Sequence, residues 1–204
     1  MSPLLLATRS DDKAREIRRI LDRVGIDVVS LADAGVQPSP EEDAIEAFHT
    51  FRENAIAKAR YFLARCGRPT LADDSGLVVP ALQGEPGVRS RRFSGRTDLL
   101  GHDLDIANNR TLLDRLHDTP VDRRNAHYLC AAALIMPDGR SFVALGSVSG
   151  IITTEPAGDE GFGYDPLFFI PHLRRTLGQV DAATKDGISH RAHAFRALAG
   201  CVAG

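Results

Sequence analysis

The sequence predicts a mixed α/β fold in which a strand-rich middle forms a separate lobe. In the first part of the chain, short apolar runs typical of buried strands alternate with segments of helical period. The middle contains two long strand-like runs, AHYLCAAALIMPDG and SFVALGSVSGIITT, joined by the turn Pro137–Asp138–Gly139. A length of 204 residues suits one domain, or two lobes that share a core. The sequence therefore predicts a single α/β domain over residues 1–204.

The elements of the first half follow from apolar period and from cap and turn residues. PLLLAT at 3–8 predicts a buried strand, and 10–25 predicts a helix with Ser10 or Asp11 as its N-cap and Gly25 at its end. The elements expected next are a strand at 26–31, a polar loop at 33–43, a long helix at 46–67, and two strands within 69–82 with a break at Ser75–Gly76.

The second half alternates glycine-rich segments with regular elements. The expected order is a glycine-rich basic connection at 84–96, a helix at 103–117, the two long strands, a glycine-rich segment at 156–171 and a final helix at 189–202 capped by Ser189.

Composition and charge exclude several classes of protein. A net charge of -2 gives no electrostatic signal for nucleic acid or an anionic membrane. No apolar run approaches the roughly 20 residues of a membrane span. The widely spaced Cys66, Cys130 and Cys201 fit neither a disulfide framework nor a zinc site. We expect a cytoplasmic protein with no nucleic-acid or membrane partner.

The turn ATRSDDK, between the first strand and the first helix, has the features of a phosphate site. Backbone N–H groups at a helix N-terminus favour an anion. Thr8 and Ser10 can add hydroxyl donors, and Lys13 lies about one turn into the helix, from where it can bend back. An ordinary N-cap with a surface lysine produces the same pattern, and the glycines of a Walker loop are missing.

Polar residues recur within the next helix and strand. Asn54 and Lys58 are four residues apart and share a helix face, as they would in a solvated stripe. Asp73 and Asp74 are adjacent in a strand-like run, so their side chains should point to opposite faces and do different work. One acid would brace the backbone or Lys13, and the other would hold Mg²⁺ or take a proton from water. A β-turn capped by Asp is the alternative.

The segments GFGYDP and KDGISHR suit a purine nucleotide. Glycines around Phe162 allow a ligand to approach closely, its ring can stack on a purine, and backbone amides with Asp165 can read base edges. Lys185 precedes a helix start that carries His190 and Arg191, which suits a purine carbonyl or a phosphate. A plain turn with core aromatic residues is the alternative for GFGYDP.

Together and in this order, the motifs resemble one family, the XTP/dITP diphosphatases, also called inosine triphosphate pyrophosphatases. TRSDDK is similar to a T-G-N-x-x-K start, TFRENAIAKA to T-F-x-E-N-A-x-x-K-A, and ADDSGL to A-D-D-S-G-L. GEPGVRSRR, GFGYDP and KDGISHR match G-x-P-G-V-x-S-x-R, G-F-G-Y-D-P and K-x-x-I-S-H-R. The resemblance runs from residue 4 to about residue 198, and every lysine of the chain falls on a motif position.

The resemblance implies an activity, a cofactor and a fold. The activity is hydrolysis between the α and β phosphates of deaminated purine triphosphates such as ITP, dITP and XTP, which releases monophosphate and pyrophosphate and cleanses the nucleotide pool. The family uses Mg²⁺ and is usually homodimeric. Its elongated ITPase-like fold has a mixed central sheet with flanking helices, and forms two lobes around a cleft that contains the site.

By position, the resemblance also implies residue roles. Asp74 would accept the proton and bind the metal, with Glu42 and Glu41 as further metal ligands. The residues implied to bind substrate are Thr8, Arg9, Ser10, Asp11, Asp12, Lys13, Asn54, Lys58, Ser75, Phe162, Gly163, Tyr164, Asp165, Lys185, His190 and Arg191.

The chain departs from the family pattern at its start, where Arg9–Ser10 stands in place of Gly-Asn and changes how closely the loop can approach phosphate. Two rival functions remain open. One is a Maf-like pyrophosphatase that acts on pyrimidine or modified nucleotides, and the other is a catalytically silent nucleotide-binding protein. GFGYDP and ISHR match the base pocket of the purine enzymes and so argue against the Maf-like alternative.

Overall fold

A computed structural model describes residues 3–203. The strands are β1 (Leu4–Leu6), β2 (Val28–Ser30), β3 (Thr70–Val78), β4 (Asn125–Ile135), β5 (Ser141–Ile152), β6 (Phe168–Ile170) and β7 (Arg175–Thr176). The α-helices are α1 (Asp11–Asp22), α2 (Phe51–Cys66), α3 (Gly101–Arg115), α4 (Ala182–Ile188) and α5 (His190–Ala203). In the part of the chain so described, no helix has the length and apolarity needed to cross a membrane.

The strands form one sheet in the order β2-β1-β3-β4-β5-β6-β7. β1 pairs in parallel with β2 and β3, with Leu5 opposite Val29 and Leu6 opposite Leu71. β6 pairs antiparallel with both β5 and β7. The sheet is mixed, which confirms the predicted α/β class.

The chain divides into two compact units. The first contains the described residues up to Ser75, together with Cys130–Ser147 and the residues from Ser189 onward. The second contains Gly76–Leu129 and Val148–Ile188. The division falls within β3, β4 and β5, so each of these strands has residues in both units.

The first unit has an apolar cluster on each face of its strands. Side chains alternate along a strand, and Leu6 and Leu71 accordingly pack in a cluster with residues of α1 and α5. Leu5 and Ala72 pack in a second cluster with residues of α2. Helices therefore cover both faces of the sheet in this unit.

The second unit is built around one apolar cluster. Leu112 and Leu116, four residues apart, pack with Leu77, Tyr128 and Phe168, all of them buried. Residues of β3, α3, β4, β5 and β6 contribute to this core, and the connection between β5 and β6 contains GFGYDP.

Several parts of the sequence prediction were wrong, and β6 and β7 lie in segments for which no strand was predicted. β3 continues through Ser75–Gly76 without a break, because glycine lets this strand approach its neighbours: a Cβ on Gly76 would lie 2.3 Å from Oγ of Ser90. The long helix begins at Phe51 instead of residue 46. Thr50 is its N-cap, and the Thr50 side chain accepts from the backbone N–H of Glu53 at 3.1 Å. α4 was not predicted, and Lys185 lies within it.

Candidate active site

The pleat of β3 separates the two adjacent aspartates. Leu71 and Ala72 pack in different clusters, and the alternation continues into Asp73 and Asp74. Asp73 shares the face of α1 and α5, and Asp74 shares the face of α2, as their partners below show. The prediction that the two acids do different work is consistent with this separation.

Asp73 is a buried carboxylate held by two cations. Its Oδ2 lies 3.1 Å from Nζ of Lys13 and 3.4 Å from Nε of Arg191, and the side chain is fully buried. Burial on its own would raise the pKa of Asp73, but Lys13, Arg191 and Lys58 lower it well below its usual range. The predicted brace between Asp73 and Lys13 is present.

Asp74 has the opposite electrostatic character. Its Oδ2 accepts from Nδ2 of Asn54 at 2.8 Å, and its Oδ1 accepts from the backbone N–H of Ser75 at 2.9 Å. Burial raises the pKa of Asp74, and the charge of Glu46 raises it further against the opposing effect of Lys13. A carboxylate whose pKa is raised in this way is a better proton acceptor than an exposed one.

Lys58, a residue of α2, contacts both Asp73 and Glu46. Its Nζ donates to the backbone carbonyl of Asp73 at 2.8 Å and forms an ion pair with Glu46. Burial would lower the pKa of Lys58, but Glu46, Asp73 and Asp74 raise it, so the ammonium stays charged. Sequence reasoning missed Glu46, because it assigned residue 46 to a helix instead of to the irregular segment before Phe51.

Asn54 brings that segment into place. Its Oδ1 accepts from the backbone N–H of Phe48 at 2.9 Å, and its Nδ2 donates to Asp74. Asn54 is 1% exposed, and its bond to Asp74 is buried while its bond to Phe48 is partly buried. Asn54 and Lys58 share a face of α2, as their spacing predicted, and this face is buried instead of solvated.

Arg191 joins the start of α5 to β3. Its Nη2 donates to Oγ of Ser75 at 2.8 Å, and its Nη1 donates to Oε2 of the buried Glu16 at 3.2 Å. Glu16 also accepts from Oγ of Ser189 at 2.9 Å, and Ser189 caps the helix as predicted by accepting from Ala192 at 3.1 Å. Ser75, predicted to contact substrate, here contacts Arg191 and Asp73.

The first unit thus contains an acid–base cluster, defined as Lys13, Glu16, Glu46, Lys58, Asp73, Asp74 and Arg191. Its four carboxylates face three cationic side chains, so the cluster has one surplus negative charge when all are ionised. His190, the first residue of α5, is buried beside Arg191 in the chain with 2% exposure.

The turn before α1 has the geometry of an N-cap. Oγ of Ser10 accepts from the backbone N–H of Lys13 at 3.4 Å, and Oγ1 of Thr8 accepts from that of Ser10 at 3.2 Å. Asp11 and Asp12 occupy the first turn, and Asp12 pairs with the exposed Arg15. The ordinary N-cap, which was the alternative to a phosphate site, is therefore observed. The Lys13 side chain bends back as predicted, and its ammonium lies beside Asp73.

The two glutamates expected to bind metal are engaged elsewhere. Oε1 and Oε2 of Glu42 accept from Nη2 and Nε of Arg9 at 2.8 and 2.9 Å. Arg9 also donates to the carbonyl of Val36 at 3.0 Å, and Glu41 accepts weakly from the hydroxyl of Tyr61 at 3.4 Å. The hydrogen bonds from Arg9 lower the pKa of Glu42. The glutamate that acts on Asp74 is Glu46.

GFGYDP and α4 meet within the second unit. Oδ2 of Asp165 accepts from the backbone N–H of Phe162 at 2.9 Å and pairs with Nζ of Lys185. That ammonium lies 4.6 Å from the centre of the Phe162 ring, a cation–π arrangement. Gly161 permits the close approach, since a Cβ there would lie 2.1 Å from Oδ2 of Asp165. Tyr164, in contrast, is a core residue with 3% exposure.

Comparisons with known proteins show the family to which the chain belongs. The model of the Ham1 family matches residues 4–201. A protein of Frankia alni named "dITP/XTP pyrophosphatase" is 48% identical over 198 residues, which cover 96% of this chain and 95% of the relative.

Two solved structures have the same fold. The HAM1 protein from Coxiella burnetii has a TM-score of 0.84 and 33% identity, and covers 100% of this chain and 99% of its own. The Ham1 protein of Staphylococcus aureus has a TM-score of 0.83 at 33% identity, with the same coverage. The protein described here belongs to the Ham1 family.

Proposed function

We propose that the protein is a nucleoside-triphosphate pyrophosphatase that hydrolyses dITP, ITP and XTP to the monophosphate and pyrophosphate. The observation that carries the proposal is Asp74, a buried acid with a raised pKa beside the ammonium groups of Lys13 and Lys58. A base next to fixed cations is the arrangement that attack of water on a phosphate requires. Relatives named "dITP/XTP pyrophosphatase" support the substrate class.

In the proposed reaction, Asp74 takes the proton from the water that attacks the α-phosphorus. Asn54 holds one carboxylate oxygen and the Ser75 N–H holds the other, so the carboxylate cannot rotate freely. Lys13, Lys58 and Arg191 neutralise charge that grows on the phosphate oxygens, which lowers the barrier because they are already in place. The N-terminus of α1 adds backbone N–H donors and the hydroxyls of Thr8 and Ser10.

Mg²⁺ is the proposed cofactor, and the acid–base cluster fits it. The cluster has surplus negative charge, and Asp74 and Glu46 are the carboxylates whose mutual repulsion a cation would relieve. Among residues 3–203 no group of three or more His, Cys, Asp and Glu is arranged to hold a metal. Mg²⁺ needs no such cage, since one or two carboxylates with waters and substrate phosphates are enough. When bound, it would neutralise phosphate charge and lower the pKa of water.

We assign binding of the purine base to Phe162, Asp165 and Lys185 in the second unit. The Phe162 ring offers a face for stacking, and the ammonium of Lys185 is a donor suited to the O6 acceptor of a 6-oxo purine. Adenine has an amino group at that position and leaves the donor unpaired, which costs about 1–3 kcal/mol for each lost bond. The base chemistry therefore favours hypoxanthine and xanthine over adenine.

A kinetic panel tests the proposal. We expect pyrophosphate release with Mg²⁺ to be fastest for ITP, dITP or XTP, and much slower for ATP and for the pyrimidine triphosphates UTP and dUTP. Fastest turnover of a pyrimidine would favour a Maf-like enzyme instead. Binding of ITP without any release of pyrophosphate would favour a catalytically silent protein.

Two further proposals concern assembly and location. A homodimer is proposed because the resemblance implies one, and sedimentation equilibrium would test it by measuring the mass in solution. A cytoplasmic location is proposed because Cys66, Cys130 and Cys201 are free thiols, which suits a reducing compartment.

A further inference from the structure

Two side chains of α3 hold the backbone of Gly163. Asp105 and Asn109 are four residues apart and therefore share a helix face. Oδ2 of Asp105 accepts from the backbone N–H of Gly163 at 2.8 Å. Nδ2 of Asn109 donates to the backbone carbonyl of Gly163 at 3.0 Å. We call Asp105 and Asn109 the Gly163 clamp, since together they bind both polar groups of this glycine.

The next backbone group is held as well. The N–H of Tyr164 donates to the hydroxyl of Tyr128 at 3.1 Å, and the hydroxyl of Tyr164 donates to the carbonyl of Ser90 at 2.7 Å. The carbonyl of Gly163 and the N–H of Tyr164 belong to one peptide group. Asn109 and Tyr128 therefore bind that peptide at its two edges and fix its plane.

The clamp acts on a backbone that glycine makes adjustable. Gly163 has φ +66°, a conformation that other residues rarely adopt. A Cβ at this position would find its nearest neighbour, the hydroxyl of Tyr128, at 3.9 Å, so space does not select glycine. Because glycine can also adopt many other conformations, side chains outside the segment have to hold it in this one.

The clamp matters because Phe162 and Asp165 flank the glycine. The N–H of Phe162 donates to Asp165, and Lys185 binds Asp165 while lying over the Phe162 ring. A rotation of the Gly163 backbone would turn the ring away from the ammonium. The relative placement of the proposed stacking face and the proposed donor thus depends on a glycine held from α3.

We propose that Asp105 and Asn109 are positioning residues that determine base specificity without touching the substrate. The proposal rests on the proposed function, in which Phe162 and Lys185 contact the base. The clamp fixes the ring and the ammonium in one arrangement, so that a 6-oxo purine is bound in preference to a 6-amino purine. The proposed proton acceptor and the cations proposed to bind phosphate belong to the first unit, whereas α3 belongs to the second. Loss of the clamp should therefore leave the hydrolysis step itself largely unchanged.

The test compares kcat and KM for ITP and ATP in clamp variants with matched controls. In Asp105→Ala and Asn109→Ala, we expect the ITP-to-ATP ratio of kcat/KM to fall about tenfold, mainly through KM for ITP, because the base contacts weaken. Asp105→Asn keeps an acceptor for the Gly163 N–H and should restore most of the ratio. The control for Asp105→Ala is Asp103→Ala, an exposed carboxylate in the first turn of the same helix.

Asn108→Ala is the control for Asn109→Ala. Asn108 is buried and bonds the backbone of Ser94 and Arg91 at 2.8 and 3.1 Å, so its loss lowers stability without releasing Gly163. The ITP-to-ATP ratio should stay near wild type in both controls. All variants are assayed well below their thermal midpoints. Asn109→Asp keeps the side-chain size but removes the donor to the Gly163 carbonyl, and it replaces Asn109→Ala if that variant fails to fold.

The outcomes separate the two proposals. If the folded clamp variants keep a wild-type ratio while their thermal midpoints fall, the clamp has only a structural role and this proposal is wrong. If the wild-type protein itself does not prefer ITP to ATP, the proposed function fails whatever the variants do.

Discussion

The amide nitrogen Nδ2 of Asn54 lies 2.8 Å from Oδ2 of Asp74, and the oxygen of the same amide accepts from the backbone N–H of Phe48 at 2.9 Å. One side chain thus fixes the proposed proton acceptor and the irregular segment that precedes α2. Glu46 belongs to that segment and pairs with Lys58. The site is therefore organised by contacts around Asn54 as much as by the acids themselves.

The metal proposal predicts different effects for two glutamates. Glu46→Gln should raise the Mg²⁺ concentration for half-maximal activity by about tenfold or more, because a carboxylate beside Asp74 is lost. Glu42→Gln is the matched control and should leave that concentration nearly unchanged, since Glu42 is engaged with Arg9. The reverse result would show that Glu42, and not Glu46, is the Mg²⁺ ligand.

Asp73 is predicted to be a structural carboxylate. Asp73→Asn leaves Lys13 and Arg191 beside a neutral group in a buried site, so unfolding should become easier by about 3–5 kcal/mol. Urea denaturation measures this difference. The control is Asp98→Asn, which removes an exposed partner of Arg96 and should leave the midpoint unchanged. A variant at Asp73 as stable as the wild type would show that the ion pairs do not stabilise the fold.

The two aspartates should affect stability at different pH. The pKa of Asp73 is lowered by folding, so its contribution is present above the unfolded pKa of about 3.9 and is lost as pH falls through the folded value. The stability difference between wild type and Asp73→Asn should therefore be full near about pH 6 and shrink in acid. Denaturation over a pH series measures it, and a difference independent of pH would contradict the assignment.

Folding raises the pKa of Asp74, so its contribution to stability changes with pH in the opposite direction to that of Asp73. Its contribution is present below the unfolded pKa and is lost as pH rises through the raised value. In the same pH series, Asp74→Asn should gain stability relative to the wild type as pH rises toward neutrality.

Arg9 is predicted to fasten the segment around Glu42 instead of binding phosphate. A double-mutant cycle of Arg9→Ala and Glu42→Gln should give a coupling energy of less than about 1 kcal/mol, because the pair is partly exposed. Arg9→Gly places the family's residue at this position and should keep kcat for ITP within a few-fold of wild type. Loss of most activity in that variant would instead make Arg9 a substrate ligand.

The local sequence pattern correctly predicted the features that depend only on the alternation of side chains along a strand or on the residues at a helix end. The opposite faces of Asp73 and Asp74 follow from strand alternation alone, and Ser10 and Ser189 cap their helices because a hydroxyl there meets an N–H three residues on. The face shared by Asn54 and Lys58 follows in the same way from helical spacing.

Features that depend on contacts distant in sequence could not be predicted. Glu46 pairs with Lys58 from an irregular segment whose backbone Asn54 binds at Phe48, and no periodicity marks such a segment. Arg9 and Glu42 are 33 residues apart. The unbroken course of β3 at Gly76 reflects the close approach of Ser90, which the sequence around the glycine does not reveal.

The most direct test of the account is pyrophosphate release from ITP by Asp74→Asn at saturating Mg²⁺. The substitution keeps the shape of the side chain and removes the proton acceptor, so kcat should fall by about 10²–10⁴-fold while KM changes little. The variant should also be at least as stable as the wild type at neutral pH, which excludes misfolding as the cause. A stable Asp74→Asn protein with near wild-type kcat would contradict the central claim that Asp74 takes the proton.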